Sequence, residues 1–420
     1  MYAVISEFAE RLGANRTVMA LSIARLGDAL GNSILFIVLP IYVANLPSPW
    51  LPLPTTLLVG ILISAFGIVN SGLQPYMGGW VDRVPKRKYM IQLGLAVMML
   101  STFGFVFADR FTSLLLLRGI QGVGIAMTIP ASMALITAST KQATRGGSMG
   151  IYSSMRIVGF AMGPLLGGWL YDTYGFNATF YAGAAAIFVG LLAVQFLVHE
   201  PATEKPAQPR KQTRFFDRTI ITPGILGAGI ATFAMASAFS MITTLENEFT
   251  ARLNMSAFAF GVAFSILMVS RLLTQVPLGR LSDRIGRKPL IIGGLILIAP
   301  ATALLGFVTT EMQLNVLRVA QGVASAAVAA PAFALAGDLA TTGNEGRQMS
   351  IVTMGFGLGT ALGPLIAGAL GIFSFSLPFI VGGLMALAGA WVVYRYTPET
   401  VTRHAETRQP FGQAGHSVGS

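Results

Sequence analysis

Cysteine is absent from the 420 residues, which excludes disulfides, thiolate metal sites and cysteine nucleophiles. Histidine is nearly absent: His199, His404 and His416 all fall at the end of an apolar stretch or in the C-terminal tail. The interior therefore has neither a histidine metal cluster nor a Ser-His-Asp arrangement, and no phosphate-cradling Gly-x-x-x-x-Gly-Lys loop occurs. An enzyme is not expected, nor is a metal or an organic cofactor. Charge is scarce as well. Charged residues make up 11% of the chain and apolar ones 54%, too little polar surface to cover a water-soluble globule.

What replaces charge is a series of long apolar runs. Each is 20 or more residues, enough to cross a hydrocarbon layer of about 30 Å at about 1.5 Å per residue. Twelve are read, at 17–44, 54–81, 88–108, 112–139, 147–171 and 177–199, then 219–245, 256–282, 289–309, 312–340, 348–371 and 375–396. Unbroken runs of this length predict helices; barrel strands would be about ten residues of alternating polarity. The predicted class is an all-α membrane protein with twelve transmembrane helices.

A net charge of +11 raises the question of nucleic acid, and the placement of the basic residues answers it. Lys and Arg fall in 82–88, 140–146, 200–218 and 280–288 and in both tails, whereas the alternate loops hold little beyond Arg110 and Arg252. That is the positive-inside pattern of a multi-pass protein of the inner membrane with both termini in the cytoplasm, and no nucleic-acid partner is implied. Residues 1–16 contain no hydrophobic core of a cleavable signal.

The chain repeats itself. Residues 200–218, with three prolines and eight charges, read as a cytoplasmic linker between a first half, 1–199, and a second, 219–396; residues 397–420 read as a disordered tail. Arg118, Gln121 and Gly122 recur as Arg318, Gln321 and Gly322, and Gly159, Gly163, Pro164 and Gly168 as Gly359, Gly363, Pro364 and Gly368, all at an offset of 200. Gly78, Asp82 and Arg83 recur as Gly279, Asp283 and Arg284 at 201. With six spans per half, the halves insert in the same orientation and place a substrate path between them.

Three segments carry a resemblance. Gly279-Arg-Leu-Ser-Asp283-Arg284-Ile-Gly286-Arg287-Lys288 is similar to the signature loop of the Major Facilitator Superfamily, and Gly78-Gly-Trp-Val-Asp82-Arg83-Val-Pro85-Lys86-Arg87 is its other copy, departing at Trp80 and Pro85. Gly159-Phe-Ala-Met-Gly163-Pro164-Leu-Leu-Gly167-Gly168 resembles the span-five motif of the twelve-span drug:proton antiporters. Leu114-Leu-Leu-Leu-Arg118-Gly-Ile-Gln121-Gly122 resembles a third signature, whose arginine is associated with proton transfer. The resemblance implies an exporter driven by the proton gradient and working by alternating access. In it Gly78, Asp82, Arg83, Gly279, Asp283 and Arg284 latch the cytoplasmic side, glycines allowing close helix packing and a carboxylate meeting a helix N-terminus of the other half. A topological anchor is the plainer reading of the basic residues.

Asp28 is the one carboxylate well inside a span, on a face shared with Asn32 and Phe36 at i+4 and i+8. It is the expected seat of the coupling proton, with Arg118, Asn32 and Gln121 beside it and Glu246 as a second candidate by resemblance. The plainer readings are a salt bridge from Asp28 to Arg25 or Arg118, and a solvated helix end for Glu246. Met235, Phe239, Met241, Met268 and Phe36 are candidate cavity linings. A carboxylate-only cavity predicts small lipophilic cations or neutral compounds, whereas one dominated by Arg118, Arg156 and Arg271 predicts anions; the sequence favours the former. The rival functions are a symporter or facilitator for a sugar or organic acid, to which Pro398-Glu399-Thr400 is weakly similar, and a non-transporting sensor. A monomer in the bilayer is expected, with substrate and proton as its partners.

Overall fold

A computed structural model describes residues 14–46, 53–81, 84, 86–140, 144–199, 222–340 and 345–401. Twelve long helices are present among them and no strand: α1 Arg16–Ala44, α2 Thr55–Val81, α3 Arg87–Gly104, α4 Phe111–Ser139, α5 Arg145–Tyr174, α6 Phe176–Leu197, α7 Pro223–Ser240, α8 Ala257–Ile285, α9 Arg287–Ala303, α10 Glu311–Asp338, α11 Glu345–Gly371 and α12 Leu377–Tyr396. Eleven of them are long and apolar enough to cross a membrane. The twelfth, α5, is 30 residues long but more polar, because its glycine face, its serines and Arg156 meet protein instead of lipid. The proposed linker, 200–218, and the tail from 402 on lie outside the described residues.

Local chemistry places the helix starts. Asn15 accepts from the Val18 N–H at 2.8 Å, and Ser256 and Thr310 do the same for Ala259 and Gln313 at 3.2 and 3.3 Å. Pro223 stands at the first turn of α7, where its missing N–H costs nothing, behind the Thr222 cap. One helix was not foreseen. The apolar run read as 219–245 ends as a 3₁₀ turn, Met241–Thr244, and a short helix, Glu246–Leu253, follows it before α8.

The halves share one plan. In the first, α1 packs chiefly on α5 and α6, and α3 on α4 and α6; in the second, α7 packs on α11 and α12, and α9 on α10 and α12. The first helix of each half is thus the innermost. Large apolar side chains such as Leu116, Phe196, Leu273 and Tyr394 stay more than 60% exposed around the outside, a belt that only lipid satisfies.

Two helix pairs join the halves, α5 with α8 and α2 with α11, and the repeat exchanges one pair for the other. Both seams are built by glycines lying on backbone. A Cβ on Gly168 would sit 2.5 Å from the Ala257 carbonyl oxygen, and one on Gly60 2.6 Å from that of Pro364. Ser265 donates to the Ala161 carbonyl at 2.5 Å, Asn247 to that of Pro40 at 2.9 Å, and the Phe258 N–H to Asp172 at 2.9 Å. Among the described residues, every such contact between the halves lies from the middle of the helices to the end away from the chain termini, the last being Ser71 near Gly357 and the ring contacts of Phe356. One end is sealed. Toward the other, Lys88 donates to the Gln195 and Val198 carbonyls of its own half, and Glu399 accepts from Arg287 and Lys288 within the second.

A bulky side chain in the seal therefore tests the geometry. Gly168→Leu is expected to hold the far end open, since overpacking costs about 1–3 kcal/mol where neither backbone can yield. In the cysteine-free chain, Ser265→Cys is a near-isosteric reporter buried in the seam. A membrane-impermeant maleimide should label it severalfold faster in the Gly168→Leu background; equal rates would show that the seam is not the gate.

Candidate functional site

The apex, the mid-helix level where the seal ends, gathers a cationic set of side chains. On α1, Arg25 and Asp28 are both buried and face one another one turn apart, the Arg25 guanidinium donating to the two carboxylate oxygens at 3.2 and 3.1 Å. The Tyr152 ring of α5 lies 5.6 Å from the same guanidinium. Of the two salt bridges the sequence allowed, Asp28 thus makes the one to Arg25 and not the one to Arg118.

Arg118 is wholly buried and reaches α1 one turn further along, donating to Asn32 at 2.9 Å and to Gln121 at 3.0 Å. Gln121 in turn donates to Thr102 of α3 at 2.7 Å. An identical chain occurs in the second half, Arg318 to Gln321 at 2.8 Å and Gln321 to Thr302 at 2.9 Å, with Arg318 also donating to the Ala263 carbonyl at 3.3 Å. Each guanidinium lies over a phenylalanine ring, Phe66 at 5.1 Å and Phe264 at 5.3 Å. The threonines were missed in the sequence, although Thr102 and Thr302 obey the same offset of 200. A charge in a spanning helix costs about 2.5–3.5 kcal/mol by insertion scales, and this amide and hydroxyl chain offsets part of it twice over.

Arg156 and Arg271 are met differently. They come from opposite halves, α5 and α8, and share the ring of Phe356 on α11, at 4.8 and 5.6 Å; Arg156 also lies 5.5 Å from Phe160. Neither has a hydrogen-bond or ion-pair partner among the described residues, and the Nε of Arg271 is buried and unsatisfied. Of the proposed linings, Met235, Phe239, Met241 and Met268 are packed into the core, and Phe36 alone keeps part of its surface open. It touches Phe160 and Phe264 at 5.6 and 6.0 Å between ring centres.

The sequence profile of the Major Facilitator Superfamily matches residues 21–249 and again 224–416, together nearly the whole chain. The chain belongs to that superfamily. Multidrug resistance protein MdtG of Klebsiella pneumoniae (strain 342) is 26% identical over 339 residues, covering 79% of this chain and 81% of that protein. The MdtG of Salmonella dublin is 28% identical over 348 residues, 79% of this chain and 83% of its own. Among solved structures, a bacterial homologue of the human lysosomal transporter Spinster, inward-facing and occupied, superposes with a TM-score of 0.71 at 16% identity over 90% of this chain and 94% of its own. The nucleoside transporter NupG, as a single-site mutant, also gives 0.71 at 16% identity, over 90% and 99%. The protein is accordingly a multi-pass membrane transporter of the Major Facilitator Superfamily fold.

The superfamily's motifs occupy definite places. Gly159, Gly163 and Gly167 face α1 of their own half, against Ala29, Ser33 and Ile34, while Gly168 and the Pro164 carbonyl meet Ala257 and Gly261 of the other. The span-five motif thus packs in two directions at once. The latch expected of the signature loops forms only when the cytoplasmic side closes. A Cβ on Gly78 would meet nothing within 4 Å and one on Gly279 only Ala330 at 3.8 Å, so neither glycine marks a close helix contact. Asp82 and Arg83 lie outside the described residues. Asp283 is exposed and pairs with Arg287 of its own half, and Arg284 is exposed. Glu399 accepts from the N–H groups of Arg287 and Lys288 at 3.0 and 3.1 Å, capping α9, and Thr400 donates to Asp338 at 2.8 Å. Gly286, at φ +112°, is required beside that carboxylate. Residues 397–401, read as the start of a disordered tail, are tied down by these bonds.

Glu246 is the largest correction. Expected at a solvated helix end, it is wholly buried in the seal next to Tyr171 and Asp172 of α5, and neither of its oxygens has a partner among the described residues. Burial first, and the Asp172 charge second, push its carboxyl well above the ordinary range. The sealed form therefore binds this proton more tightly than a form in which Glu246 meets water. Sealing is favoured while the carboxyl stays protonated, and is weakened as pH rises from the ordinary glutamate range toward the raised value. With spin labels on Leu46→Cys and Phe373→Cys, the far-end distance should lengthen as pH is raised, and Glu246→Gln should flatten that dependence on the sealed side. A pH profile identical in both proteins would assign the titration elsewhere.

Proposed function

We propose that the protein is a proton-coupled exporter of small lipophilic compounds, working by alternating access. With both termini in the cytoplasm, as the distribution of Lys and Arg implies, the glycine seal closes the outer side and a vestibule below it opens inward. The buried Arg25–Asp28 pair at the apex is the observation that carries the reading, since among the described residues it is the one ion pair with both partners buried, and a single proton breaks it. Protonation of Asp28 from the outer side frees Arg25. Loss of that proton to the inside restores the pair, and the gradient supplies the direction. The relation to MdtG, named as a multidrug resistance protein, and the span-five motif support export; the half-open rings of Phe36, Phe160 and Phe356 suit a lipophilic body. Glu246, buried in the seal, is a second protonatable group on the same route. A monomer suffices, since site and seal are complete within one chain.

A symporter or facilitator for a metabolite is the second reading, favoured by the ordered Pro398-Glu399-Thr400 segment that caps α9. Proton release separates the two, because a substrate should expel a proton from an antiporter and be bound together with one by a symporter.

The Asp28→Asn variant tests the coupling. Gradient-driven export in proteoliposomes should fall at least about tenfold, while Asp28→Glu, which keeps the titrating group, retains part of it. Removing one partner of a buried pair costs about 3–5 kcal/mol, so the doubly neutral Arg25→Gln/Asp28→Asn chain is the folding control and should be equally uncoupled. Export against a gradient by either variant, with ordinary pH dependence, would move the coupling site away from Asp28.

A further inference from the structure

We propose that the apex binds an aromatic organic anion, a ring system bearing a carboxylate or sulfonate, with Arg156 and Arg271 as a cationic clamp drawn from the two halves. The proposal rests on the transporter reading for the location of the site and adds the chemistry of the cargo.

The argument is a balance of charge. Five arginines lie deep in the helices, at 25, 118, 156, 271 and 318, against one carboxylate, Asp28. Arg25 takes Asp28, and Arg118 and Arg318 are held by the repeated amide and hydroxyl chains, which still leave the Nε and Nη2 of Arg118 and the Nη2 of Arg318 without a partner. Arg156 and Arg271 have no hydrogen-bond or ion-pair partner among the described residues. They lie within electrostatic reach of one another, Arg271 is nine-tenths buried with an unsatisfied Nε, and the Phe356 ring they share offers a quadrupole and no counter-charge. Asp28 acts on both Arg25 and Arg156 and can offset only one of the charges. Like charges gathered at low dielectric with this deficit of protein anion are matched by an anion brought in from outside. Planar guanidinium forks select carboxylate or sulfonate oxygens over a point contact.

The body of the ligand follows from the rings. Phe356, Phe160 and Phe36 each keep part of their surface open, and Phe160 and Phe36 are 5.6 Å apart between centres. An aromatic scaffold stacks there while its acid group reaches the arginines. Because Arg156 and Arg271 belong to opposite halves, one ligand holds both sides of the seam at the level where the seal ends. This charge sign is opposite to what Asp28 alone suggests in the sequence.

Full-length protein in nanodiscs, titrated by calorimetry with naphthoate, naphthalenesulfonate, naphthylmethanol and naphthylmethylammonium, tests the inference directly. Both anions should bind at least about tenfold more tightly than the neutral and cationic probes to wild type, and Arg156→Gln and Arg271→Gln should each weaken naphthoate about ten- to a hundredfold, the scale of one charged hydrogen bond. Naphthylmethanol should be unaffected. Arg271→Lys, which keeps the charge and loses the fork, should fall between and guards against a folding artefact. Tighter binding of the ammonium probe, or naphthoate affinity unchanged in both Gln variants, overturns the proposal, as does displacement of naphthoate by equimolar inorganic phosphate. Its failure is distinct from that of the coupling reading. Arg-dependent naphthoate binding without proton movement in proteoliposomes sinks only the coupling, and proton-driven export confined to the ammonium probe sinks only the anion site.

Discussion

A charge placed inside a spanning helix has to be met by something other than water, and the interior of this protein is arranged around that requirement. Five arginines raise the problem and it is solved in three ways. Arg25 is met by a carboxylate one turn away on its own helix. Arg118 and Arg318 are met by neutral amides, which are themselves oriented by hydroxyls on a neighbouring helix. Arg156 and Arg271 are met by phenylalanine rings, Phe356 between them and Phe160 beside Arg156. The first arrangement can be undone by a proton, the second is repeated in both halves, and the third has no hydrogen-bond partner among the described residues.

The second constraint is backbone proximity. Glycines at 60 and 168 bring helices of opposite halves to within a side chain's width, and such contacts are either made fully or not at all. Glu246 lies inside that seal without a hydrogen-bond partner among the described residues, so closing the seal and protonating that carboxyl favour one another. At the opposite end, the network of Glu399, Arg287, Asp283 and Asp338 lies within the second half.

The sequence by itself determined the twelve long helices and the repeat, though not the short helix Glu246–Leu253, because apolar length and the offset of 200 are properties of the chain read in order. It also determined that Asp28 and Arg118 carry unusual charges, since a polar residue in an apolar run is visible without coordinates. Only the tertiary structure decided who meets whom. The choice of Arg25 over Arg118 for Asp28, the place of Thr102 and Thr302 behind the glutamines, the burial of Glu246 and the sharing of Phe356 by Arg156 and Arg271 all depend on how neighbouring helices are rotated and how far they slide. Residues 156, 271 and 356 are separated along the chain by more than 80 positions, and no local period records that their side chains converge. Which charges are paired is decided in three dimensions, and a count of charged residues in order along the chain contains no term for which of them cancel.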